Sequence, residues 1–113
     1  MIVSPSEETK SFPHDAYAND EDLAKGIFNF EEVVNYSVKR ITSSWAGLRT
    51  FAPDRTLVIG FDSVVPSFFW LAGQGGYGFQ TSAAASKMAS EIILGEKSSF
   101  GQLQKKVSPN RFK

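Results

Sequence analysis

The chain has no cysteine. Disulfides, thiolate metal sites and cofactor attachment through a cysteine are therefore excluded. It has a single histidine, His14, which cannot build a metal site alone and reads, beside Pro13, as a loop residue. No stretch approaches the roughly 18 consecutive apolar residues of a membrane-spanning helix. No signal-peptide core follows Met1, and a cytoplasmic location is the expectation. Formal net charge is +0 at pH 7, so no broad attraction to nucleic acid or to an anionic membrane is implied. No constellation of acid, base and nucleophile is visible, and no side chain is assigned a catalytic or metal-ligating role.

What is present suits one small folded body. The chain has 113 residues, 42% of them hydrophobic, with ten Phe, two Trp and three Tyr. That aromatic load is high for the length, and part of it is expected to face a partner surface. Charge is uneven. Residues 1–32 carry eight acids and two bases, whereas residues 97–113 carry five bases and no acid, and these last residues read as a solvated basic tail. Between Asp62 and Lys87 no residue is charged, which marks that stretch as lying against a core or a ligand.

Hydrophobic spacing places the elements. Residues 22–28 lean towards a strand because they are short and contain Gly26. Asn29 with Glu32 three residues on forms a capping box, and Phe30, Val33, Val34, Val38 and Ile41 share one helical face, which predicts a helix over 30–43. Leu57–Phe61 and Phe68–Ala72 read as strands separated by a turn at Pro66, the second of them fully buried. Thr81 or Ser82 is expected to cap a helix over 81–94 that ends at Gly95, with Ala85, Met88, Ala89 and Ile92 as its apolar stripe. The expected class is α+β, with a small mixed or antiparallel sheet.

The most informative segment is Gly73-Gln74-Gly75-Gly76-Tyr77-Gly78. It has the G-x-G-x-x-G spacing between an apolar run and a helix, as a dinucleotide-binding turn does. Such a turn also needs a second parallel strand about twenty residues on, tipped by an acid for the ribose. Only 35 residues follow Gly78 and they end in a polar, basic stretch, so that unit cannot close. No lysine follows within reach, which disfavours a phosphate loop. Two readings of the glycines stay open at this point, an ordinary strand-to-helix turn and a backbone shaped to approach a flat ring. Arg49 likewise has two, a structural ion pair with Asp54 or a planar fork for a carboxylate.

Two longer motifs occur in order. Trp45-Ala46-Gly47-Leu48-Arg49-x-Phe51-x-Pro53-Asp54-Arg55 leads, after four intervening residues, to Gly60, and Phe69-Trp70-Leu71-Ala72 runs into the glycine segment. Together they resemble the C-terminal part of the FAD-dependent D-amino-acid oxidase, glycine oxidase and sarcosine oxidase family. Ser4-Pro5-x-x-Glu8-Thr9 is similar to the opening of that region, and Ser108-Pro109-x-Arg111-Phe112 to its ending, so the resemblance spans nearly the whole chain.

The resemblance implies a C-terminal portion of an oxidoreductase, residues 1–113 forming one partial domain of a larger flavin-oxidoreductase fold. The dinucleotide-binding domain, an expected partner, would lie in a missing N-terminal region. FAD is implied as a non-covalent cofactor that needs that region, and the isolated chain is expected to be inactive. The implied activity is amino-acid oxidation by an oxidase or dehydrogenase, passing a hydride equivalent from a substrate Cα–H to flavin N5. By resemblance Arg49 would bind the carboxylate of an amine substrate, with Gln74 and Tyr77 as further substrate contacts. Gly73, Gly75, Gly76, Gly78, Phe79, Gln80 and Thr81 would face the cofactor, and Arg49 and the loop are expected to share one cavity. The alternative is a non-catalytic module that forms a homodimer through the aromatic surface around Phe68–Tyr77.

Overall fold

The computed structural model describes residues 1–4 and 9–113. Residues 5–8, which carry most of the Ser4–Thr9 motif, lie outside the described set. The chain divides into two compact units, Met1–Leu48 and Arg49–Lys113, and its class is α+β. Among the described residues no helix is long and apolar enough to cross a membrane.

The first unit holds one helix, α1, over Asp20–Val33. Asn19 caps it, with its side-chain oxygen accepting the Asp22 amide at 2.8 Å and its side-chain NH2 donating to the Asp22 carboxylate at 2.7 Å. Asp20, Glu21 and Asp22 fill the first turn, where carboxylates favour the positive end of the helix dipole. This corrects two expectations. Residues 22–28 are helical rather than a strand, and Gly26 is the buried residue of that helix. The helix over 30–43 does not form: α1 reaches it only at residues 30–33, and Asn29 lies mid-helix. The Val33-Val34 pair is stiff at χ1 and fits extended backbone better, and Val34 has φ −130° and ψ 125°. The Glu31 carboxylate then accepts the Val38 amide at 2.6 Å, holding the chain in a turn where the helix would have continued.

In the second unit β1 (Val58–Phe61) pairs antiparallel with β2 (Phe69–Ala72), in the register Val58↔Ala72 to Phe61↔Phe69. Asp62 organises the connection. One carboxylate oxygen accepts the Val64 and Val65 amides at 2.7 and 2.9 Å, and the other accepts the Trp70 indole N–H at 2.9 Å. These bonds, the indole first, hold the Asp62 carboxyl below the ordinary range.

Helix α2 covers Gly78–Ile93. Its apolar stripe meets β1: Ala85, Met88 and Ala89 join Ile59 and Val107 in the buried core, with Ile92, Leu57, Phe69 and Phe100 packed around it. Burying Ile59 and Met88 stabilises by about 2 kcal/mol each. At its end Gly95 takes φ 67°. The Gly95 amide reaches Ile92 O at 3.3 Å and the Glu96 amide reaches Glu91 O at 2.8 Å, the paired bonds of a Schellman cap.

Residues 97–113 expose their lysines, as the sequence suggests, but they are folded rather than a tail. Helix α3 (Gln102–Val107) buries Val107, and a 3-10 turn over Pro109–Phe112 follows. The buried Glu91 anchors the approach by accepting from the Ser99 hydroxyl at 2.6 Å and the Ser99 amide at 2.9 Å. Those two bonds keep its carboxyl below the usual range.

Candidate functional site

The site is built on a tight turn. The Arg55 amide donates to Ala52 O at 2.9 Å, and Pro53 supplies the fixed φ that such a turn favours. The turn presents Thr50, Phe51 and Ala52 to the glycine loop. The Gly75 amide donates to Thr50 O at 3.0 Å, and Gly75 has φ 51°. A Cβ on Gly75 would stand 2.6 Å from the Phe51 ring, while Gly73, also left-handed, backs onto Ala52 at 3.5 Å. Gly75 is therefore required by the protein's own packing, and Gly73 by its left-handed backbone rather than by crowding.

The loop closes with the Tyr77 amide on Gln74 O at 3.0 Å and leads straight into α2. Tyr77 is the cap residue, no side chain caps the helix, and no acid lies in its first turn. The expected cap at Thr81 or Ser82 is corrected. Both residues sit inside the first turns, and their hydroxyls donate back to Tyr77 O at 2.7 Å and Phe79 O at 2.9 Å, a bond open to Ser and Thr within a helix. The start of α2 thus offers amide N–H groups in a positive dipole end that no acid neutralises. Gly73 is buried, Gln74, Gly75, Gly78 and Thr81 are half-buried, and Gly76, Tyr77, Phe79 and Gln80 are exposed.

Arg49 is exposed and immediately precedes Thr50, so its backbone lies one residue from the carbonyl that holds Gly75. An apolar cavity of about 340 Å³ opens beside this segment, walled by Phe51, Pro53, Trp70, Gly73, Pro109 and Phe112. Arg49, Gln74 and Tyr77 are not among its lining residues. The structure thus brings the Arg49 backbone and the loop together, but the cavity takes only Gly73 from the site residues.

Sequence reasoning gave Arg111 no role of its own. It is the partner of Asp54 that Arg49 was weighed for. Arg111 Nε donates to Asp54 Oδ2 at 2.7 Å and one terminal nitrogen to Oδ1 at 3.0 Å, a two-pronged pair. That nitrogen also donates to Thr56 O at 2.9 Å, and the other to Ser108 O at 2.9 Å. The bond from Arg111 is the chief reason the Asp54 carboxyl is held down at about 2. The partners lie 57 residues apart, and the only sequence signal was the place of each in a motif.

A family model described as FAD dependent oxidoreductase matches residues 2–92. The chain belongs to that family.

Proposed function

We propose that this chain supplies the substrate-facing and flavin-facing C-terminal portion of an FAD-dependent amine or amino-acid oxidoreductase. The observation that carries the reading is the start of α2, which opens directly from the glycine loop with neither a side-chain cap nor an acid. Family membership implies FAD, and the donor set fits one end of it. Amides of Gly78, Phe79 and Gln80 suit the electron-rich pyrimidine edge of the flavin, the Thr81 amide being bonded to Tyr77 O, and the small residues of the loop let backbone approach a flat ring.

Bound FAD would supply the acceptor for a hydride equivalent from the substrate Cα–H. The chain's own residues bind and orient. Arg49 would engage the substrate carboxylate through two parallel N–H···O bonds, fixing which hydrogen points at the ring. Gln74 and Tyr77, on the loop beside it, would bound the substrate. The α2 amides would stabilise negative charge at the pyrimidine edge, an electrostatic role that moves no proton.

A second reading is favoured by exposure. Phe68 is 49% exposed, Leu71 51% and Phe79 98%, and a surface of this kind suits self-association without catalysis. One titration separates the two. FAD is added to the 15N-labelled chain and amide shifts are followed. With the dinucleotide-binding domain supplied, FAD-dependent saturable shifts confined to Gly75–Thr81 and insensitive to protein concentration are expected for the flavin site, and their absence then defeats it. Shifts over Phe68–Tyr77 that track protein concentration and ignore FAD favour the dimer.

A further inference from the structure

The bed under the glycine loop has a support that no part of the flavin reading uses. Thr50 O receives the Gly75 amide, the Phe51 ring fills the space at Gly75, and Ala52 backs onto Gly73. These three residues lead into the turn closed by Ala52 and Arg55. That turn contains Asp54, whose carboxylate also accepts the Thr56 amide at 3.1 Å. Arg111 grips the turn twice, through the carboxylate of Asp54 and the carbonyl of Thr56.

Arg111 is itself anchored. It donates to Ser108 O, lies over the Phe112 ring at 4.2 Å, and belongs to a 3-10 turn packed against β1. The Arg111 side chain is 14% exposed and that of Asp54 42%, so the guanidinium is shielded while the carboxylate still meets water.

We propose that Arg111 is a positioning residue, a strut that holds the Thr50–Ala52 bed in register with the Gly73–Gly78 loop by gripping the Asp54 turn from the C-terminal segment. Its functional weight rests on the flavin reading of that loop, but the mechanical link does not. Only a guanidinium meets the geometry, because one group must reach a carboxylate in two prongs and two carbonyls from separate segments. A lysine ammonium is a point charge and cannot span them.

The test is amide hydrogen exchange on the full chain without FAD, comparing Arg111→Gln, Arg111→Lys and Asp54→Asn with the native protein. The Gly75 amide should exchange about tenfold faster or more in all three, the scale of a lost charge-assisted bond. The ladder amides of β1 and β2 should change far less, and Arg111→Lys should fail to restore protection. Unchanged Gly75 exchange overturns the proposal, as does an equal rise at Gly75 and in the ladder, which would make Arg111 a general stabiliser. If Arg111→Gln does not fold, Asp54→Asn, which keeps the shape and an acceptor for Thr56, decides alone. No cofactor enters the measurement, so failure of the strut and failure of the flavin site are distinguishable.

Discussion

Gly75 and Gly95 share a backbone and differ in their surroundings, which separates two reasons for a glycine. Both are left-handed, with φ 51° and 67°. Around Gly95 nothing lies within 4 Å of a new Cβ, whereas at Gly75 the Phe51 ring lies 2.6 Å away. Gly95→Ala should therefore cost only the backbone penalty, about 1 kcal/mol. Gly75→Ala adds a clash with a rigid ring and should cost about 3 kcal/mol. Denaturant unfolding of both variants checks this, and equal losses would mean that Phe51 yields freely. The same scale shows what a sequence reveals about a site. Gly73 and Gly75 were legible as special backbone positions because they sit in a short motif of unusual composition. The Asp54–Arg111 pair was not, because a long-range partner leaves no spacing to read, and the nearer Arg49 was the local candidate.

At the level of elements, the strands and α2 were legible and α1 was not, for a definite reason. Leu57–Phe61 and the stripe Ala85, Met88, Ala89 and Ile92 are apolar where the core needs them, so pattern and burial agree there; Phe68–Ala72 forms its strand but is not the fully buried one expected, since only Phe69 packs on the core and Phe68, Trp70 and Leu71 are exposed. Helix α1 buries only Gly26. Its start is set by its cap and by the acids of its first turn, and of the apolar residues that define a later helix by spacing Phe30 and Val38 are only half-buried while Val33, Val34 and Ile41 are exposed. Two asparagines test this. Asn19→Ala should lose about 1 kcal/mol of α1 stability with its cap. Asn29→Ala, a mid-helix exchange for a better helix former, should gain about 0.5 kcal/mol. Helical circular dichroism and amide protection over residues 23–33 report both, and the reverse order would restore the later start.

Over the whole molecule the acids divide by task. Asp54, Asp62 and Glu91 lie in Arg49–Lys113, and each is held below its ordinary range mainly by a side-chain hydrogen bond, from Arg111, Trp70 and Ser99 respectively. A carboxyl whose folded pKa is depressed contributes stability that is present above the unfolded value and lost as pH falls through the folded one. The unit should therefore keep its stability down to about pH 4.5 and lose it progressively as pH falls towards about 2, where Asp54 takes its proton. Falling pH also removes the negative charge that balances the twelve Lys and Arg residues, so general repulsion must be separated from these bonds. Salt does so, because it screens charges that are far apart in solvent and acts little on bonded carboxylates. Thermal melting from pH 7 to pH 2, at low and high salt, should show a fall below about pH 4.5 that persists in high salt. Asp54→Asn should lower the pH 7 melting temperature and flatten the lowest part of the curve, because the group titrating there is gone. A fall that vanishes in high salt would assign acid sensitivity to net charge and remove these three carboxylates from the account.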